Sequence, residues 1–217
     1  LAELLDAMER NFEGMGPARI RERLLAVPKF GNDSSTRPAY WVNRVLECWV
    51  NALAAVPKCT RGGRYVAGYY GLNVNIAYGK NTPALPSGRL SGVPLANSVI
   101  PHYGMKKVDL TSSLNAVAGV DFPRYAPNGT TNTATIDAAL FPGDSGIDNL
   151  AGVIRSYFAA GGMQFQPNVV SRETLIDARE HPEKYPDLIV RIAGYCAYFN
   201  DLSDELKEEI INRTCYA

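Results

Sequence analysis

Cysteine and histidine side chains are the usual carriers of nucleophilic and metal chemistry, and this 217-residue chain holds four cysteines and two histidines. The cysteines lie far apart, at Cys48, Cys59, Cys196 and Cys215, and no two of them form a C-x-x-C pair. This spacing argues against a zinc site and against a redox dithiol, so we predict no metal site. Each histidine stands alone, which favours a structural or surface role over a catalytic one.

Close to the C-terminal end, the segment from Arg191 to Phe199 reads RIAGYCAYF, with Gly194 near its centre. A single glycine in a turn ordinarily satisfies a positive φ that other residues avoid. The segment as a whole, however, resembles the glycyl radical signature, roughly R-V-x-G-Y-x-x-x-F, of pyruvate formate-lyase, glycerol dehydratase, choline trimethylamine-lyase and benzylsuccinate synthase. The preceding GGMQFQPNVVSRETLIDAREHPEKYPDLIV also resembles this family, as do RGGR, YGK, ALPSGRLSGVPLANS and NGT further upstream. The resemblance to the C-terminal, radical-bearing part of a glycyl radical enzyme therefore covers essentially the whole chain.

The resemblance implies that Gly194 stores a radical and that Arg191, Tyr195 and Phe199 support the loop around it. The chemistry requires a glycine, because only a residue without Cβ can become planar at Cα without a side-chain clash. In a planar arrangement the unpaired electron is shared with the flanking amide nitrogen and carbonyl group. Such a radical lasts only where dioxygen is kept out, and apolar neighbours such as Tyr198 predict that the loop is buried.

The resemblance also implies which partners act on this loop. A separate activating enzyme, with an iron–sulfur cluster and S-adenosylmethionine, removes a hydrogen atom from Gly194, while the chain itself binds no cofactor. The radical then oxidises a cysteine on a second loop, and the resulting thiyl radical attacks a small-molecule substrate.

The cysteine loop of the family reads G-C-x-E or a close variant, and these 217 residues contain no such motif. Cys48, within an apolar helical stripe, and Cys59, just before a predicted strand, are interpreted as buried or incidental thiols, and Cys196 is given no catalytic role. The sequence also opens at Leu1 directly on a helical pattern, as though entered in the middle. We therefore expect the chain to work only with a cysteine-loop subunit or with the N-terminal portion of the same enzyme.

The elements that must hold the radical loop begin with a helical lead-in over residues 1–60. Apolar spacing predicts three helices there, over residues 1–11, 17–27 and 39–56. The third carries an apolar stripe that we expect to face the core, formed by Trp41, Val45, Leu46, Trp49 and Leu53.

Residues 61–217 are expected to form the C-terminal half of the family's ten-stranded α/β barrel with surrounding helices, and with the radical loop around 191–199. Residues 72–78 alternate apolar residues with asparagine, which predicts a strand in which Asn73 and Asn75 share one face. Together with Tyr78 they are candidates for lining the substrate cavity, and hydrogen bonding within the core is an equally open interpretation.

A long loop over residues 81–104 follows, and Arg89 is expected to fix its ALPSGR turn through carboxylate or backbone contacts. Helices are then predicted over residues 110–117, 146–159, 172–179 and 203–214, and strands over 131–136, 163–170 and 188–192. Candidate N-caps are Asp148, Ser171, and either Ser203 or Asp204. The alternation of strands and helices predicts βαβ units with largely parallel strand pairing.

Composition excludes several classes of protein. Hydrophobic residues make up 46% of the chain and charged residues 20%, as in an ordinary globular domain. The 22 basic and 22 acidic residues leave no net charge, so nucleic acid is not an expected partner. No stretch approaches the roughly 18 apolar residues of a membrane span, and no secretory signal pattern is present, so we expect a cytoplasmic protein without a membrane partner.

For the reaction class, RIAGYCAYF lies closer to the R-V-A-G-Y-S-A-x-F of the dehydratase and lyase branch than to the R-V-S-G-Y-A-V-R-F of pyruvate formate-lyase. We therefore expect an anaerobic lyase that carries out an elimination or a decarboxylation. Two alternatives remain open: a fumarate-adding synthase of the benzylsuccinate type, and a non-catalytic subunit that repairs a damaged glycyl radical enzyme.

Overall fold

The computed structural model describes residues 1–31, 36–100, 102, 109–213 and 215–216. Its α-helices are α1 (Ala2–Glu9), α2 (Met15–Ala26), α3 (Thr36–Ala55), α4 (Asn75–Lys80), α5 (Leu110–Ala118), α6 (Phe122–Tyr125), α7 (Gly143–Ala159), α8 (Arg172–Glu180) and α9 (Asp204–Asn212). Its strands are β1 (Thr133–Ile136), β2 (Gln166–Val169), β3 (Ile189–Arg191), β4 (Cys196–Tyr198) and β5 (Cys215–Tyr216). Positions 32–35, 101, 103–108, 214 and 217 and the side chain of Cys215 lie outside the described part. Parts of the predicted loop over 81–104, the last residue of the predicted helix over 203–214 and the Cys215 thiol fall there.

Side-chain caps start two of the helices where the sequence predicts them. The Ser171 hydroxyl accepts from the Thr174 N–H at 3.1 Å ahead of α8, and Ser203 caps α9 by accepting from the Leu206 N–H at 3.4 Å. The prediction of Asp148 as the cap of α7 is wrong. Helix α7 begins earlier, at Gly143, because Pro142 has the extended backbone of an N-cap residue, and no side-chain hydrogen bond caps the helix.

The strands form two separate groups. Parallel strands β2, β1 and β5 lie side by side in that order, with Thr133 opposite Gln166 and Thr135 opposite Asn168. This arrangement confirms the predicted parallel pairing. Strands β3 and β4 form an antiparallel hairpin. The prediction of a strand over 188–192 is confirmed by β3, whereas β4 and the antiparallel pairing are not predicted from the sequence, since a strand of three residues is too short to show a period.

The predicted strand over 72–78 is wrong, because α4 occupies Asn75–Lys80. In a helix, residues four apart lie on one face, so Asn75 and Gly79 both face the segment 93–95 of the same chain. A Cβ on Gly79 would lie 2.4 Å from the Val93 carbonyl oxygen, and Asn75 donates to the Leu95 carbonyl at 3.1 Å. These contacts outweigh the local alternation of apolar and asparagine residues. Asn73 consequently does not share a strand face with Asn75.

Two buried clusters hold the described residues around the sheet and the hairpin. The first joins α5, β1, α7 and β5, and it includes Leu114, Ile136 and Tyr157. The second joins α8, β3 and α9, and it includes Val190 and Phe199. The hairpin thus packs against α8 and α9 in the second cluster, whereas β1 packs in the first cluster.

Helix α3 contacts the first cluster through Val42 and Leu46. The prediction that its whole apolar stripe faces the core is wrong within the described residues, because Trp41, Val45 and Trp49 are 58%, 66% and 53% exposed. The apolar surface of α3 extends around more of the helix than the described core covers.

None of the helices in the described ranges is both long enough and apolar enough to span a bilayer.

Candidate radical loop and its supports

Gly194 lies at the tip of the β3–β4 hairpin. The Ile192 N–H donates to the Tyr195 carbonyl at 3.0 Å, so Ala193 and Gly194 are the two central residues of a tight chain reversal. Gly194 does not have a positive φ, and a Cβ added to it would meet no heavy atom of the described residues within 4 Å beyond its chain neighbours. Neither of the two ordinary structural reasons for a glycine, a left-handed backbone or a close contact, therefore applies at this position.

The loop around Gly194 is buried on one side and exposed on the other. Ile192, Ala193 and Phe199 are at most 1% exposed and belong to the interior of the described chain, and a supporting role for Phe199 stays a prediction. On the other side, Tyr195 and Tyr198 are 48% and 47% exposed, and Gly194 itself is exposed. The predicted burial of the whole loop is therefore wrong within the described residues. The buried clusters cover Ile192 and Phe199, whereas residues 194–196 lie on the side that the described residues leave open.

Three successive carbonyl groups ahead of Gly194 each accept a hydrogen bond from a distant side chain. The bonds run from Arg213 Nη1 to Arg191 O at 2.9 Å, from Asn97 Nδ2 to Ile192 O at 3.2 Å, and from Thr133 Oγ1 to Ala193 O at 3.4 Å. All three donor residues are at least nine-tenths buried. Together with Gln166, which follows, we call Asn97, Thr133 and Arg213 the carbonyl clamp.

Gln166, on β2, contacts the loop twice in the amide orientation that satisfies both of its polar groups. Its Nε2 then donates to the Ala193 carbonyl at 3.1 Å, and its Oε1 accepts from Arg191 Nη1 at 2.6 Å. The Arg191 N–H donates in turn to Asn168 Oδ1 at 3.3 Å. Arg191, predicted as a support, therefore connects the hairpin to β2.

A buried ion pair stands behind the clamp. Arg213 Nη2 lies 2.8 Å from Glu209 Oε2, and the two side chains are 4% and 0% exposed. Asn75 donates to the second Glu209 oxygen at 3.3 Å, so the carboxylate is hydrogen-bonded from two elements. Sequence reasoning missed this pair, although a glutamate and an arginine four residues apart at a helix end were the signal that could have revealed it.

Asn73, Asn75 and Tyr78 do not converge on one surface. Asn75 is 6% exposed and is bound to Glu209, whereas Tyr78 is 62% exposed and Asn73 is also exposed. Asn75 thus supports the loop from within the core. A substrate contact by Asn73 or Tyr78 stays a prediction.

The strands that carry Thr133 and Gln166 are themselves held in place by Tyr157. Its hydroxyl accepts from Asn132 Nδ2 at 3.1 Å and donates to the Gln164 carbonyl at 3.0 Å, so it bridges the residues that lead into β1 and β2. Burial raises the pKa of Tyr157, which keeps the phenol protonated and able to donate. A Cβ on Gly162 would lie 2.3 Å from the tyrosine ring, so this glycine makes room for it.

Arg89 fixes its loop through hydrogen bonds to backbone carbonyl groups. Its guanidinium donates to the Gly79 carbonyl at 2.8 Å and to the Pro83 carbonyl at 3.0 Å, as well as to the carbonyls of Thr82 and Val93. The structural role predicted for Arg89 fits these bonds.

The described cysteine side chains are unpaired thiols on the periphery. Cys48 and Cys196 are exposed and Cys59 is half-buried. Within the described ranges no cluster of three histidine, cysteine or acidic residues could hold a metal ion.

Two family models match this sequence: the one described as glycine radical over residues 95–200, and the one described as pyruvate formate lyase-like over residues 1–79. The chain is 32% identical to a probable dehydratase of Escherichia coli strain K12, YbiW, over 98% of this chain and 27% of that protein. It is also 32% identical to the trans-4-hydroxy-L-proline dehydratase of Clostridioides difficile, over 97% of this chain and 26% of that protein. The chain therefore spans about a quarter of the length of these curated relatives.

A similar solved structure is the glycerol-bound form of the B12-independent glycerol dehydratase of Clostridium butyricum. It matches with a TM-score of 0.91 at 34% identity, over 100% of this chain and 27% of that chain. The likeness confirms the fold class, an α/β portion of the barrel of these enzymes with surrounding helices.

Proposed function

This chain belongs to the glycyl radical enzyme family, and we propose that it stores the unpaired electron on Gly194. The observation that carries the proposal is the match of residues 95–200, which contain Gly194, to the glycine radical model; among the described residues nothing crowds the Gly194 Cα, and its φ is not positive. The missing Cβ at this position permits Cα to become planar, as storage of the unpaired electron requires.

Radical storage consists of two hydrogen-atom transfers. In the first, the Cα–H bond of Gly194 breaks homolytically, and the hydrogen atom passes to a radical that a separate iron–sulfur enzyme generates from S-adenosylmethionine. In the second, the glycyl radical takes a hydrogen atom from a cysteine thiol, which restores Gly194 and leaves a thiyl radical. The thiyl radical then attacks a small-molecule substrate.

The thiyl cysteine belongs to a G-C-x-E loop outside these 217 residues, in a separate subunit or in another portion of the same enzyme. Two observations support this assignment. The described thiols lie on the exposed or half-buried periphery, and the exposed Tyr195 and Tyr198 give Gly194 an apolar border that a second polypeptide portion can cover. Such cover also keeps dioxygen away, which suits the anaerobic cytoplasm that we propose as the location.

Replacement of Cys48, Cys59, Cys196 and Cys215 by serine, singly and together, should leave both the glycyl radical and turnover intact. The expected result follows because none of these thiols is assigned to the reaction. Electron paramagnetic resonance of the activated protein and a substrate-consumption assay measure the two quantities. A single serine variant that keeps the radical but loses turnover would place the thiyl within this chain and would overturn the assignment.

For the overall reaction we propose a carbon–heteroatom lyase that eliminates a small leaving group. The names of two relatives, both dehydratases, support this class. A fumarate-adding synthase and a repair subunit are the alternatives, and the match to the pyruvate formate lyase-like model over residues 1–79 favours an enzyme portion over a repair loop.

Exposure of the activated protein to air should cut the chain at Gly194. Dioxygen adds to the carbon radical, and breakdown of the peroxyl group breaks the backbone at that residue. Mass spectrometry of the reaction should reveal an N-terminal fragment that ends at this position. The same protein without activation, and activated Gly194→Ala, are the controls and should remain whole. An intact backbone after air has quenched a measured radical would refute storage on Gly194.

A further inference from the structure

Two side chains of the carbonyl clamp meet at one atom, the Ala193 carbonyl oxygen. Thr133 Oγ1 lies 3.4 Å from it, and Gln166 Nε2 lies 3.1 Å from it. Thr133 and Gln166 are direct partners in the parallel register of β1 and β2. The convergence therefore follows from the sheet register itself.

The Ala193 carbonyl belongs to the peptide group whose nitrogen is that of Gly194. In a peptide group the nitrogen lone pair is shared with the carbonyl, which keeps the six atoms of the group planar. In a glycyl radical the same lone pair also stabilises the unpaired electron on Cα. A hydrogen bond to the carbonyl oxygen draws the lone pair towards oxygen and fixes the plane of the group, so it changes how much electron density reaches Cα.

We propose that Thr133 and Gln166 are positioning residues for the glycyl radical, because they set the plane and the polarity of the peptide group that precedes Gly194. The inference rests on the proposed storage of the radical at Gly194. It assigns the lifetime of the radical and its spin distribution partly to two side chains far away in the sequence.

A purely structural need for these groups does not account for the arrangement. Arg213 and Asn97 already hold the carbonyls of the two preceding residues. Thr135 stands two residues after Thr133 in β1, on the same face and equally buried at 3%, yet its hydroxyl has no hydrogen-bond partner among the described residues. A buried threonine hydroxyl in this strand is thus compatible with the fold without any contact to the loop.

The test uses near-isosteric variants. Thr133→Val removes the hydroxyl and Thr133→Ser keeps it, while Gln166→Glu keeps the acceptor for Arg191 and removes the donor to the Ala193 carbonyl. Thr135→Val is the matched control, since it makes the same change at the neighbouring inward position. Each variant is activated as part of the whole enzyme, together with the subunit or portion that carries the cysteine loop.

The readouts are the nitrogen and α-proton hyperfine couplings of the radical and its anaerobic half-life. Thr133→Val and Gln166→Glu should shift the couplings and shorten the half-life several-fold, whereas Thr133→Ser should restore the wild-type spectrum and Thr135→Val should not depart from it.

A wild-type doublet with unchanged couplings and half-life in both Thr133→Val and Gln166→Glu would overturn the inference but leave radical storage standing. An equal effect of Thr135→Val would overturn it as well, because the cause would then be strand packing. Absence of any doublet in activated wild-type protein would instead contradict radical storage, and the inference with it. If Thr133→Val does not fold, Gln166→Glu decides by the same readouts.

Discussion

Replacement of Gly194 by alanine should abolish the doublet that electron paramagnetic resonance detects in the activated protein, and it should leave the fold unchanged. The doublet arises from the one α-hydrogen that remains on a glycyl radical. An alanine methyl group would clash with the flanking peptide groups as Cα flattens, so the radical would not form. In the ground state the methyl group meets no heavy atom within 4 Å, and φ lies outside the left-handed region. Stability should therefore change by no more than about 0.5 kcal/mol.

The matched control is Gly152→Ala in helix α7, where an added Cβ also meets nothing within 4 Å. Alanine in a helix interior should stabilise the protein by roughly 0.5–1 kcal/mol, and the doublet should stay at full intensity. Thermal unfolding of both variants measures the folded state, and the spectrum of each measures the radical. A doublet that survives in Gly194→Ala would show that the electron resides elsewhere.

The sequence predicts the longer helices of this fold well because their signals are repeated many times. Helices α3 and α7 contain 20 and 17 residues, so their 3.6-residue period recurs over several turns. The three-residue strand β4 offers no such repetition and is not predicted. Residues 72–78 show a strand-like alternation, yet the close approach of Gly79 to Val93 and the bond of Asn75 to Glu209 require a helix. Tertiary contacts of this kind are not visible in a local pattern.

The resemblance predicts Gly194 as the radical site and Arg191 and Phe199 as supports, since all three lie within the same short motif. It missed Thr133, Gln166 and Arg213, because their role depends on strand register and on contacts with residues 22 to 60 positions away. It also predicted burial of Tyr195 from hydrophobicity alone. Apolar character does not reveal which hairpin residues the described chain covers, because that depends on how the hairpin packs against α8 and α9.

Replacement of Arg213 by alanine should have the largest effect on stability among substitutions near the loop. It would leave the Glu209 carboxylate without its cation at a position where the side chain is fully buried. Removal of one partner from a buried pair costs about 3–5 kcal/mol, and loss of the bond to the Arg191 carbonyl adds to it. Chemical denaturation compared with the wild-type protein measures the loss. The exposed pair of Arg179 and Glu208, at 2.6 Å, is the control, and Arg179→Ala should cost only about 0–1 kcal/mol.

Replacement of both members of the buried pair separates the cost of the unpaired Glu209 charge from the cost of the lost hydrogen bond to the Arg191 carbonyl. Because most of the cost of Arg213→Ala comes from an uncompensated charge, Glu209→Leu combined with Arg213→Met should recover much of the lost stability. It should not recover the hold on the Arg191 carbonyl, since methionine has no N–H to donate. The double variant should therefore fold and still show faster hydrogen exchange in the hairpin than wild-type protein. Equal destabilisation by Arg179→Ala and Arg213→Ala would mean that the Arg213–Glu209 pair does not anchor the radical loop.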